Sequence, residues 1–267
     1  MHDTLSSLVE RALMGSPRPL EFYLREHSRL PGPRANLELA NDVGYLLAAA
    51  IPTNENGVRT LVNYFSNGDR KMVASNTPAE YVMLCGLIAA GICAAAYPEW
   101  REETYKLLSH YACSPYWRVR ESVTTAYQHL LTTDPAAVLS HLYTLAREGN
   151  QLQQRAAVTA IAEPRLLYTP TLLTDALDLQ RIVLLRQHQV PLGERKVEDF
   201  RVLKRALGYT LSVITAAAPE QGFALMRECA SWEDTDIAWV LRENLKKKRL
   251  AKFVQDTAAV ASMLPSV

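Results

Sequence analysis

A chain of 267 residues with 48% hydrophobic content has room for one large domain or two small ones around a substantial core. Its 29 basic and 28 acidic residues leave a formal charge of +1, which excludes a global electrostatic commitment to nucleic acid or to a membrane surface. The four cysteines, Cys85, Cys93, Cys113 and Cys229, form no CxxC pair, and the start lacks a basic segment followed by an apolar run. A cytoplasmic protein with its thiols reduced and packed as small hydrophobes is expected.

Strand signals are nearly absent, while helical periodicity recurs in window after window, so the chain should be all-α. Prolines fall between apolar blocks, at Pro17, Pro31, Pro33, Pro52, Pro78, Pro98, Pro115, Pro135, Pro170, Pro191 and Pro219, where they mark helix starts and turns. Helices are predicted over 3–14, 18–29, 34–51, 56–66, 78–97, 99–112, 116–132, 135–148, 151–162, 170–188, 196–217, 219–230 and 234–249. Connections are short except for the polar segment from Asn67 to Thr77 and the turn around Pro191. Short loops make sequential helices antiparallel neighbours, as in a bundle or a solenoid.

In chain order, the first candidate site is the turn Ser28–Asn36. Pro31 and Pro33 stiffen it, Gly32 frees its backbone, and Arg29, Arg34 and Asn36 offer donors beside a helix start. Asn36 as a helix cap, with Arg29 and Arg34 paired to Glu26 and Glu38, explains the same residues structurally. Next, Tyr81 to Pro98 carries no charge, the composition of a helix buried on several sides; as a membrane span it is short, and Glu80 and Glu99 bracket it without basic flanks.

The second candidate is Trp117 with Glu121, one helical turn apart and opposite the apolar face of Val119, Val123, Ala126 and Leu130. Internal similarity begins here. Trp117–Val123 matches Leu152–Val158 at a shift of 35, which places Arg120 on Arg155, and Leu203–Tyr209 matches Ile237–Glu243 at a shift of 34. The third candidate is Asp236–Leu250, read as one amphipathic helix. Ile237, Val240, Leu241 and Leu245 form its packing face, while Trp239, Arg242, Lys246 and Arg249 form a presenting face. Residues 195–252 hold 12 Lys or Arg against 8 Asp or Glu, a local excess of four. Basic residues at a helix C-terminus also complement its dipole, and Trp239 fits packing against a neighbouring repeat as readily as stacking on a ligand.

These spacings, with Val119-Arg120-Glu121 and Asp236-Ile237 before Trp239, resemble the HEAT-like repeat superfamily, most clearly over 99–252. Arg205–Tyr209 and Trp239–Lys247 look like the ends of uncharacterised bacterial HEAT-repeat proteins. The resemblance implies a right-handed α-α superhelix, one armadillo-like solenoid domain over 1–256 followed by a tail over 257–267, whose second helices line a concave binding face. Trp239, Arg242, Lys246, Arg249, Arg120, Arg155 and Lys204 would then be the ligand-binding residues. The pair Trp117 and Glu121 is also similar in layout to the HEAT-like alkylpurine DNA glycosylases. That likeness implies a lesion contact for Trp117, stabilisation of sugar charge by Glu121 and a phosphate contact for Arg155, although the carboxylate in that family is typically Asp.

No Walker loop, GxGxxG, HExxH or GxSxG is present, and His110 with Cys113 supplies only two ligands, so neither cofactor nor metal is expected. The expectation is a non-enzymatic interaction scaffold that binds a protein partner, or nucleic acid through the C-terminal basic helix, on its concave face, with no membrane role. A DNA-binding alkylated-base glycosylase working through Trp117 and Glu121 is the alternative.

Overall fold

A computed structural model describes residues 2–67 and 74–265, with side chains from residue 4 onward. Of the polar segment expected over 67–77, residues 68–73 lie outside this description, as do Met1 and residues 266–267 of the expected tail. The fold is all-α: 79% of it is helix, in thirteen α-helices and three short 3-10 helices, with no strand among the described residues. The chain divides into two compact units, Met1–Asp134 and Pro135–Val267.

The first unit holds α1 (His2–Leu13), α2 (Arg18–Glu26), α3 (Leu37–Ser66), α4 (Pro78–Ala96), α5 (Arg101–Tyr111) and α6 (Trp117–Thr133). The helices predicted over 34–51 and 56–66 form the single run α3, kinked where Pro52 withholds a donor and Asn54 leaves helical geometry at φ −153°. Asn54 Oδ1 accepts from Gly57 N–H at 3.0 Å, capping the second half as a new helix start. The uncharged helix α4 is the centre of this unit and packs on α2, α3, α5 and α6. Long and apolar enough to cross a membrane, it has 89% of its most apolar window buried in protein, as a core helix does. Its glycines let neighbours approach: a Cβ at Gly91 would lie 2.6 Å from the Ala126 Cβ, so α6 seats directly on α4.

The second unit holds α7 (Pro135–Glu148), α8 (Gln151–Ile161), α9 (Pro170–Gln189), α10 (Glu198–Ala217), α11 (Pro219–Ala230), α12 (Thr235–Leu245) and α13 (Val254–Ser262). Within it, α7 packs on α8 and α9, α8 on α9 and α10, α9 on α10 and α11, and α10 on α11 and α12. Each helix thus meets the next and the next but one. Buried polar side chains fix the layers. Asn244, fully buried, accepts from Ser212 N–H at 2.7 Å and donates to the carbonyls of Leu207 (2.7 Å) and Val240 (2.8 Å). Gln180, also fully buried, links Val158 O and the Thr210 hydroxyl.

One expectation is corrected here. The amphipathic helix read as Asp236–Leu250 ends at Leu245. Lys246 is its C-cap and Lys248–Leu250 is a separate 3-10 turn, so Arg249 does not continue the face of Trp239 and Arg242. Leu250 is fully buried, and that turn packs on α10, which draws the chain off the helix axis and toward the core. Helix α13 then extends regular structure into the segment expected as a tail.

Candidate functional site

In the first unit, two segments singled out separately in the sequence meet. Arg29, Pro33, Arg34 and Glu38, from the turn and the start of α3, face Trp117 and Glu121 at the start of α6 across a cleft of about 400 Å³. Trp117 is 47% exposed, while Val119, Val123, Ala126 and Leu130 on the opposite face of α6 are at most 1% exposed. The helix buries one side and holds an indole in solvent on the other. Leu37, 45% exposed, enlarges the apolar part of the cleft.

The turn forming one wall is tightly braced. Asn36 N–H donates to Ser28 O (3.1 Å), its amide donates to His27 O (3.0 Å), and the buried Tyr81 hydroxyl donates to Asn36 O (2.6 Å). Asn36 Oδ1 also accepts from Leu39 N–H at 3.3 Å, the cap expected of it. Gly32 is required, since a Cβ there would lie 2.4 Å from Arg29 O. Arg29 holds a left-handed backbone at φ 61°, a conformation that costs a non-glycine residue about 1–2 kcal/mol and is sustained here by the surrounding bonds. Its guanidinium reaches Glu38 at 3.1 Å.

Beneath the cleft sits a pair that sequence reasoning missed. Arg118 is 6% exposed and Glu80 is fully buried; Arg118 Nε lies 3.8 Å from Glu80 Oε2. Arg118 Nη2 donates to Gly32 O at 2.5 Å and to Asn76 Oδ1 at 2.9 Å, clamping the turn to α6. Its guanidinium also lies 4.4 Å from the Trp117 ring centroid and covers one face of the indole. Burial pushes the Glu80 carboxyl above its usual range, against the opposing pull of the Asn76 N–H and the Arg118 charge. The signal for this pair was a lone Glu in the first turn of an otherwise uncharged helix and an Arg beside the apolar face of α6.

The remaining residues proposed from sequence do not line this cleft. Arg120 donates to Ser114 O (2.6 Å) and Pro115 O (3.1 Å), bracing the turn before α6. Arg155, in the second unit, is only 8% exposed. Also in that unit, Lys204 binds Asp236 at 2.8 Å and lies 4.9 Å from the Trp239 ring centroid, so Trp239 packs onto α10, with Gly208 beneath it. Arg242 donates to Pro265 O, and Lys246 pairs with Glu243 at 2.6 Å. Arg249 lines a different cleft in the second unit, with Tyr168 and Val213. Trp232, also in that unit, stacks on His188 with ring centroids 5.2 Å apart.

As chemistry, the Trp117 cleft offers apolar contact and hydrogen-bond donors. Arg34 is exposed and has no side-chain partner among the described residues. Among those residues no group of three or more His, Cys, Asp or Glu is placed to hold a metal ion. No protein-family model matches the chain, and no curated protein matches it either.

Proposed function

We propose that this chain is a non-enzymatic, cytoplasmic interaction scaffold of HEAT-like helical hairpins, stacked as a right-handed α-α superhelix, and that the Trp117 cleft docks a segment of a protein partner. The packing of each helix on the next and the next but one supports the stacked-hairpin reading. The observation that carries the functional reading is a half-exposed Trp, with Leu37 and Pro33, on a frame braced by part-buried hydrogen bonds. Tryptophan and arginine dominate binding energy at protein interfaces, and a pre-organised wall lowers the ordering cost of binding. The partnering of Lys204, Lys246 and Arg242 within the second unit weakens the case for a phosphate-tracking ladder there.

The test places a photo-crosslinking amino acid at Leu37, identifies the adduct, and measures its purified form against the wild type and Trp117→Ala. A partner bound with little salt dependence and weakened at least tenfold by Trp117→Ala supports the reading. Steeply salt-dependent DNA binding with no protein adduct at Leu37 would overturn it.

The alkylpurine glycosylase alternative has one observation in its favour, that Trp117 and Glu121 line the same cleft. It requires release of alkylated bases from DNA and loss of that release in Glu121→Gln.

A further inference from the structure

We infer that the second unit carries a separate docking cleft, between Tyr168 and Arg249, for an acidic peptide segment bearing a bulky apolar side chain. The inference goes beyond the Trp117 reading and rests on different residues. Tyr168 is 86% exposed, and beside it Leu167, Val213, Ala216 and Ala217 make an apolar floor to a cleft of about 580 Å³. Among the described residues Arg249 is the one charged residue lining it. That volume lies in the range of sites that enclose a small ligand or an anchoring side chain.

Charge selects the occupant. Lys247, Lys248 and Arg249 follow one another in the chain, and none of their side chains has an ion-pair or hydrogen-bond partner among the described residues. Their neighbours differ: Lys246 is held by Glu243, Arg242 by a carbonyl, and Lys204 by Asp236. Arg249 therefore brings an uncompensated positive charge to the apolar cleft, and Lys247 and Lys248 adjoin it in the chain. The buried Leu250 fixes the 3-10 turn that carries Lys248 and Arg249, so their backbone is placed before any ligand arrives.

A nucleic-acid backbone asks for cations spaced along a track, with a stacking surface for successive bases. One short cationic turn beside an aliphatic floor fits a carboxylate or two next to an aliphatic or aromatic anchor instead. Exposed Tyr and Arg at such a place are the residue types enriched where peptides and proteins dock.

The experiment selects a phage-displayed library of 12-residue peptides on the full chain, then measures recovered peptides and a dT20 strand by fluorescence anisotropy. The proteins compared are the wild type, Arg249→Glu, Tyr168→Ala and Trp117→Ala, each checked for unchanged helical circular dichroism. The expected peptides are net negative with a bulky apolar residue, bind at least tenfold more weakly to Arg249→Glu and about fivefold more weakly to Tyr168→Ala, and keep their affinity for Trp117→Ala. Replacing the peptide's acidic residue by Lys should restore binding to Arg249→Glu. Enrichment of neutral or basic sequences, no enrichment, or binding indifferent to Arg249→Glu overturns the inference. So does dT20 binding that exceeds peptide binding and falls in that variant, which would make the cleft a nucleic-acid site. Peptides lost in Trp117→Ala but not in Arg249→Glu would support the first cleft and overturn the second.

Discussion

Replacing Arg118 by Met keeps most of the aliphatic volume beneath the Trp117 cleft while removing the cation that faces Glu80. Two costs follow. Gly32 O loses its 2.5 Å charge-assisted bond, a change of about 1.5–3 kcal/mol that does not depend on pH. The fully buried Glu80 loses the one cation that faces it among the described residues, and truncating one partner of a buried pair costs about 3–5 kcal/mol. Glu80 has one escape, which is to take up a proton. From its ordinary value of 4.5, that uptake costs about 3.4 kcal/mol at pH 7 and about 0.7 kcal/mol at pH 5, so it caps the charge cost at each pH. The wild type, whose Glu80 carboxyl is already raised, bears part of that charge cost, so Arg118→Met should lose up to about 5–6 kcal/mol at pH 7 and up to about 2–4 kcal/mol at pH 5. The sign follows from linkage. A carboxyl raised in the folded state holds its proton more tightly there than in the unfolded chain, so stability is highest below the ordinary value and falls as pH rises through the folded one. Urea denaturation followed by circular dichroism at both pH values measures the deficit. In a Glu80→Gln background no charge is stranded, so the Arg118→Met deficit measured against Glu80→Gln alone should lose its pH dependence and be smaller at pH 7. A deficit equal at the two pH values, or one that Glu80→Gln leaves unchanged, would refute the buried-pair reasoning.

Asn244→Ala should lose about 3 kcal/mol in the same denaturation assay, because Ser212 N–H and Leu207 O are left buried without their partner. At Asp234, burial raises the carboxyl, but bonds from Ile237 N–H, His188 and Arg195 outweigh it and hold the group below its ordinary 3.8. That stability is present above 3.8 and lost as pH falls through the lower folded value, so Asp234→Asn should flatten the acid limb of a pH–stability curve and leave its neutral-to-alkaline shape unchanged. Burial pushes Cys85, Cys93 and Cys229 up to about 12, whereas Cys113 is half-buried, so a thiol reagent at pH 8 should label Cys113 first and the other three only on unfolding.

What was legible in the sequence is what neighbours in the chain decide. Prolines at helix starts, the Asn36 cap and the charge-free run of α4 are local signals, and the helices begin close to where those signals put them. The Trp117 cleft is different in kind. The turn at 28–36 and the start of α6 each stood out alone, but their meeting depends on how α3 and α6 seat on α4, which spacing within either segment does not encode. The basic run shows how tertiary burial overrides a local pattern. Periodicity carries smoothly through Leu245 into Lys246–Arg249, and no Gly or Pro interrupts it. Helix α12 stops because burying Leu250 against α10 outweighs the small propensity for another turn. That interruption changes the chemistry on offer. A continued helix would spread its cations along a face suited to a phosphate backbone. The 3-10 turn instead sets Arg249 against the apolar lining of a cleft, the arrangement from which an acidic segment with a hydrophobic anchor is proposed as its occupant.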